Sequence, residues 1–456
     1  MPFVLGVDSS TQSTKALLVD AADGTVVDQR SAPHPPGTEV DPRAWLEAYD
    51  AATAGLAERA DAVSVAGQQH GMVALDRAGV PVRDALLWND TRSAPQAARL
   101  VEELGGAQAC AEAVGSVLVA SFTSTKLRWL REEEPANAAR VERVLLPHDY
   151  VSLHAAAPGA AAFTDRGDAS GTGYFATAEG EWRPDLAAAA LGRDVDLPRL
   201  VGPGTVAADA AVGGVLAGGT GDNAGAALGL GLETGDVLVS IGTSGVASAI
   251  SATPVADGTG AVTGFADAAH GFLPLVATVN AAQVLDLQAR WLGVDHDELA
   301  RLALAAEPGA GGVTLLPYYG GERTPNRPDA TGTWSGLTGR TTREDLARAA
   351  FEALLCSLAD AVDFLVRATG EQPRRILMVG GATRSPAVRA LAPAVLGQPV
   401  HFPPSGEYVA LGAARQAAWA LAGGDVPPTW SLPGLETAEA DPTPAVRQRY
   451  AALRDA

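Results

Sequence analysis

Short apolar runs separated by turn residues open the chain. Residues 4–7 form one aliphatic stretch, residues 15–20 a second, and Val26-Val27 a third after an Asp23-Gly24 turn. Runs of this kind joined by tight polar turns predict a meander of strands. Downstream, apolar runs alternate with Ala- and Leu-rich stretches. Residues 63–66, 72–75 and 86–88 read as strands, and residues 93–103 as a helix with apolar positions at helical spacing. Strands alternating with helices predict an α/β architecture.

The pattern restarts near the middle. Val237-Leu238-Val239-Ser240-Ile241-Gly242-Thr243-Ser244 parallels Val4-Leu5-Gly6-Val7-Asp8-Ser9-Ser10-Thr11: an apolar strand, a small hydroxyl-rich turn, then another strand. An offset close to half the chain suggests a duplication, although strand–turn–strand is common enough for coincidence to stay open. The Gly-rich stretch at 229–235 marks the expected boundary between domains 1–230 and 231–456.

Composition narrows the class. At 456 residues, 47% of them hydrophobic and 19% charged, the chain has two or three domains' worth of core and needs no disulfide staples. Cys110 and Cys356 match no metal or redox spacing and read as packed thiols in a reducing cytoplasm. No uncharged apolar run is long enough for a membrane span, so a soluble cytoplasmic protein is expected. A net charge of −20 argues against nucleic acid and anionic membranes as partners. The only lysines are Lys15 and Lys126. An anionic nucleotide would therefore have to be held by backbone N–H groups, a metal ion and a few cations.

The common nucleotide motifs are absent. Lys15 and Lys126 each follow a threonine rather than the glycine of a P-loop, no strand–Gly-x-Gly-x-x-Gly–helix unit forms, and the protein-kinase set is missing. A different grip remains. Asp8 ends a strand, and the turn carrying Ser10 and Thr11 offers backbone N–H groups to phosphate. Asp8 is placed to hold Mg²⁺ against those phosphates. Thr243, in the 240–245 hairpin, offers the same turn without the carboxylate. An ordinary surface hairpin fits these residues equally well.

Longer motifs decide between these readings. Ser121-Phe122-Thr123-Ser124-Thr125-Lys126-Leu127-Arg128-Trp129-Leu130, and Gly332-Thr333-Trp334-Ser335-Gly336-Leu337 continuing to Glu352, resemble the two signatures of the FGGY carbohydrate kinases. The resemblance runs from about Val4 to about Gln416. It implies an actin/hexokinase/Hsp70-like (ribonuclease H-like) duplicated two-domain α/β fold around a central catalytic cleft. Within the family, Ala66-Gly67-Gln68-Gln69-His70-Gly71, Leu87-Trp88-Asn89-Asp90-Thr91-Arg92, Pro147-His148-Asp149-Tyr150 and Gly221-Asp222-Asn223 are most similar to the xylulokinases.

The resemblance also implies roles. Asp222, which on its own reads as a helix N-cap, becomes the base that accepts the sugar hydroxyl's proton. Gln69, His70, Asn223 and Asp90 become sugar contacts, and Trp88 either packs in the core or forms a wall facing the sugar. Ser10, Thr11 and Thr243 fall at the phosphates, Gly380, Gly381 and Ser385 at the nucleotide, and Trp334 near the adenine or under it. Glycerol kinases carry Arg-Glu in place of Gln69-His70. Xylulokinases often carry Met in place of Gln69, which leaves the choice of pentulose open. The expected activity is Mg²⁺-dependent transfer from ATP to D-xylulose. The alternatives are another ketose or polyol, or an idle sugar or nucleotide sensor. A homodimer is compatible with the chain, whose sequence does not define its assembly.

Overall fold

The computed structural model describes residues 2–456 and divides into two compact units. The first takes the chain up to Leu232 together with Ala252–Leu273 and Gly406–Ser431; the second takes Glu233–Ser251, Pro274–Ser405 and Leu432–Ala456. The chain leaves the first unit close to residue 230 but returns to it twice. Division into 1–230 and 231–456 therefore follows chain order rather than packing.

In the first unit, β1 (Phe3–Ser9), β2 (Ser13–Asp20) and β3 (Val26–Pro33) pair antiparallel in sequence, the meander that the opening pattern predicts. The other edge of β1 pairs in parallel with β4 (Ala62–Gly67). β5 (Val215–Ala217) and β6 (Thr220–Gly221) pair in parallel with β4 in turn. β4 is buried throughout, as a strand covered on both faces must be. Val4 and Ala62 pack against Ala410 and Ala414 of the Tyr408–Ala422 helix. Leu5, Val7, Val63 and Val65 point the other way, onto Trp45, Tyr49 and Val151.

Between β4 and β5 the chain inserts α1 (Thr123–Glu133), α2 (Pro147–Ala155) and the single turn α3 (Arg166–Ala169). β6 leads straight into α4 (Asp222–Gly229). Asp8 stands opposite Ala66, and Ala66 opposite Thr220. The carboxyl ends of three parallel strands therefore stop at one edge, where open α/β sheets bind ligands. α4 lies against the Tyr408–Ala422 helix backbone to backbone. A Cβ on Gly412 would overlap the Gly225 carbonyl, so only glycine permits this approach.

The second unit repeats the pattern. β7 (Asp236–Ile241) pairs antiparallel with β8 (Gly245–Ala249), which pairs with β9 (Phe272–Thr278) through residues 275–278. The other edge of β7 pairs in parallel with β10 (Arg375–Val379). β7, β8 and β10 are thus connected as β1, β2 and β4 are, so the internal repeat seen in sequence is also one of topology. Helices α5 (Ala282–Leu292) and α6 (Arg343–Thr369) belong to this unit. α6 opens with a Thr342–Asp345 capping box and closes on Gly370 in the left-handed conformation.

Two local expectations shift. The strand expected at 86–88 is Ala85–Leu86, and Trp88 lies beyond it, 43% exposed. The helix expected from 93 begins at Ala94. Cys110 and Cys356 are buried free thiols. Among the described residues no helix is long and apolar enough to cross a membrane.

Candidate active site

Four of the predicted residues meet where β4 and β6 end. Asp222 is the first residue of α4, and Gly221 holds the cap position. The Asp222 Oδ1 accepts from the Asn223 backbone N–H at 2.7 Å and from Asn223 Nδ2 at 2.8 Å. Asn223 Nδ2 also lies 3.1 Å from Gln69 Oε1, and Gln69 Nε2 points to the Gly167 carbonyl at 3.4 Å. His70 has a left-handed backbone, φ 69°, and its Nδ1 is 2.6 Å from the Gly171 carbonyl. Its ring stands 4.9 Å from Phe122 and 5.5 Å from Phe265. Burial, followed by the charge of Asp8, pushes the half-buried Asp222 carboxyl up to about 7, against the bonds from Asn223.

Asp8 ends this group from the β1 side. It is 3% exposed, and its Oδ1 has no hydrogen-bond partner. Burial raises its pKa to about 6, opposed by the Ser10 hydroxyl and the charge of Lys15. Ser10 N–H donates to Ser13 at 3.1 Å, closing the β1–β2 turn. Thr11 Oγ1 accepts from Trp88 Nε1 at 2.9 Å. A buried carboxylate oxygen without a donor fits a cation. Among the described residues no three His, Cys, Asp or Glu side chains converge as a metal cage. A hard cation such as Mg²⁺ prefers an oxygen ligand of this kind.

The second unit holds a cavity of about 450 Å³, lined by Gly242 and Thr243 of the β7–β8 turn, Leu285 and Asp286 of α5, and Gly381 and Ser385 after β10. Ser385 Oγ is buried with no protein partner. Gly380 lies behind this lining with φ 104°, and a Cβ there would collide with the backbone of Ile241. Glycine at 380 thus lets the 381–384 turn close onto the β7–β8 hairpin. Thr243, Gly381 and Ser385 are brought together here, while Ser10 and Thr11 stand with Asp8 in the first unit.

Three further residues singled out in the sequence stand as follows. Asp90 is occupied: Oδ1 accepts from Arg92 Nε at 2.9 Å, and Oδ2 from Thr38 at 2.9 Å. Trp88 is bonded to Thr11 rather than packed in the core. Trp334 packs against Ala310, Val313 and Ala349 and does not line the cavity.

Sequence reasoning missed two buried groups behind the site. Lys126, on α1, is 0% exposed. Its Nζ donates to the carbonyls of Ala120 at 3.2 Å, His70 at 3.4 Å and Ser121. Burial lowers its pKa to about 7, with Asp90 acting in the opposite sense. His148, on α2, is also 0% exposed and lies among Asp149, Asp165 and Asp168.

A strand-end carboxylate with one oxygen lacking a hydrogen-bond partner in one unit, and a similarly built turn beside a cavity in the other, stand in a two-unit α/β chain of the sugar kinase/actin-like ATPase fold. Residues 3–229 match the N-terminal domain, and residues 237–421 the C-terminal domain, of the FGGY family of carbohydrate kinases, and the chain belongs to that family. It is 47% identical to the xylulose kinase of Streptomyces coelicolor, over 93% of this chain and 89% of that one. It is 45% identical to the xylulose kinase of Streptomyces rubiginosus, over 96% and 94%. The crystal structure of xylulose kinase from Bifidobacterium adolescentis superposes with a TM-score of 0.93 at 48% identity, covering 99% of both chains. A Plasmodium falciparum glycerol kinase with ADP shares the fold, at TM-score 0.86 and 18% identity over 100% and 97%.

Proposed function

We propose that the protein transfers the γ-phosphoryl group of ATP to O5 of D-xylulose, giving ADP and D-xylulose 5-phosphate, in the cytoplasm and with Mg²⁺. The observation that carries this reading is the Asp222 carboxyl, raised to about 7 and oriented by Asn223 at the edge where Asp8 also ends. Phosphoryl transfer asks a protein mainly for alignment and charge neutralisation. Asp222 orients the terminal hydroxyl and accepts its proton as the P–O bond forms. Gln69, His70 and Asn223 hold the sugar's other hydroxyls, and polar groups left unpaired by a wrong isomer discriminate against it.

The backbone N–H groups at Ser10, Thr11 and Thr243 serve the phosphates, and Gly380, Gly381 and Ser385 serve the nucleoside. In this reading residues 1–230 carry the sugar chemistry and residues 231–456 the nucleotide. Asp8 would hold Mg²⁺, which supplies positive charge to offset that developing on the phosphate oxygens. The 47% and 45% identities to xylulose kinases support the choice of sugar. A panel of ketoses and polyols with coupled ADP detection tests it. D-xylulose is expected to give the highest kcat/KM, and equal turnover on D-ribulose would overturn the assignment.

A further inference from the structure

We infer that His148 is a positioning residue for the sugar: hydrogen-bonded to Asp168 and facing Asp165, it fixes the 165–171 turn on which both Gln69 and His70 hang. The inference rests on the reading of Gln69 and His70 as sugar contacts and adds the device that aims them.

The argument begins with the carbonyls of that turn. Gly167 O receives Gln69 Nε2 at 3.4 Å, and Gly171 O lies 2.6 Å from His70 Nδ1. Two adjacent side chains from the end of β4 are thus oriented by one short piece of backbone. What holds that backbone is the pair of carboxylates within it. Asp165 accepts from the N–H groups of Gly167 at 2.7 Å and Asp168 at 3.0 Å, which ties off the start of α3. Asp168 Oδ2 lies 2.6 Å from His148 Nδ1, and Asp165 Oδ1 lies 3.8 Å from His148 Nε2. One ring is therefore hydrogen-bonded to one carboxylate of the turn through Nδ1, while Nε2, which has no hydrogen-bond partner, lies within ion-pair distance of the other.

Buried carboxylates are costly unless paired. Asp149, on the same helix as His148, adds a third at 3.3 Å, while its own Oδ2 accepts from Leu146 N–H at 2.8 Å. The other titratable groups facing the cluster are Tyr174 beside Asp149 and Asp168, Asp222 beside Asp168, and Arg166 beside Asp165. Burial alone would push the His148 imidazole down, but Asp149, Asp168 and Asp165 together push it up to about 10. A charged hydrogen bond in a dry interior holds geometry more firmly than a neutral one. A neutral side chain at 148 would leave Asp168 and Asp165 without their cation, and the turn would relax away from Gln69 and His70.

The test compares His148→Gln and Asp168→Asn with Gln69→Ala and His70→Ala, measuring kcat and KM for D-xylulose and for ATP, with Tm as the check on folding. His148→Gln and Asp168→Asn are expected to raise the sugar KM tenfold or more and to leave the ATP KM within twofold. A merely structural role would lower Tm without this split. A folded His148→Gln with a sugar KM within twofold of wild type overturns the inference. If that variant does not fold, Asp168→Asn decides by the same criterion. Nitrogen-15 histidine spectra of the wild type decide independently: a doubly protonated His148 ring is expected at pH 8, and a neutral one overturns the inference. If Gln69→Ala and His70→Ala leave the sugar KM unchanged, it is the reading of the sugar site that fails.

Discussion

Asn223 holds Asp222 through two donors at once, its backbone N–H and its side-chain amide, both on Oδ1. One carboxylate oxygen is fixed by its own neighbour in sequence, and the plane of the group is fixed with it. Asp222→Ala is expected to bind ATP nearly as wild type does and to lose turnover by about 10³-fold or more. Coupled ADP release and titration calorimetry check the two halves. Turnover close to wild type would remove Asp222 from the role of base.

The pH profile should carry the same signature. A base must be ionised to act, and Asp222 is pushed up to about 7 by burial and Asp8. At saturating ATP, kcat/KM for the sugar is expected to rise as pH increases through about 6 to 7 and then level off. A flat profile between pH 5 and 8 would contradict this.

The raised carboxyl also has a cost in stability. Asp222 takes up its proton near 7 in the folded chain and near its ordinary 3.8 when unfolded. Its contribution therefore becomes less favourable as pH rises across that window. Asp222→Asn, which cannot ionise, is expected to raise Tm at pH 8 more than at pH 5. Scanning calorimetry at the two values checks the sign, and an equal shift at both would refute it.

Gly380 predicts an effect confined to the nucleotide. Its φ of 104° and its closeness to Ile241 leave no room for a Cβ. Gly380→Ala should displace the 381–384 turn and raise the ATP KM about tenfold or more, with sugar binding unchanged. Loss of sugar binding with ATP binding intact would be the wrong outcome.

Much of this was legible because it is local. The β1–β2 hairpin, the Asp8 turn and the Gly221-Asp222-Asn223 start of α4 are each written in a few consecutive residues, and periodicity and turn chemistry reach that far. His148 was visible within Pro147-His148-Asp149-Tyr150 with Asp149 beside it, but its hydrogen-bond partner Asp168 comes from another element, 20 residues away. No local pattern announces that pairing. Lys126 was hidden for a different reason: its partners are backbone carbonyls, which every residue has. Asp90 is a sugar contact by resemblance alone, and what the sequence does not announce is that Arg92 and Thr38 both donate to its oxygens. The returns to the first unit at Ala252–Leu273 and Gly406–Ser431 depend on tertiary packing alone.

The burial of Lys126 has a practical side. With one of two lysines sealed inside and the other, Lys15, paired to Glu407 at 2.6 Å, the exterior is almost free of side-chain amines. Amine-directed dyes and resins should attach at very few points on the folded protein. Tryptic peptides will be set almost wholly by its arginines.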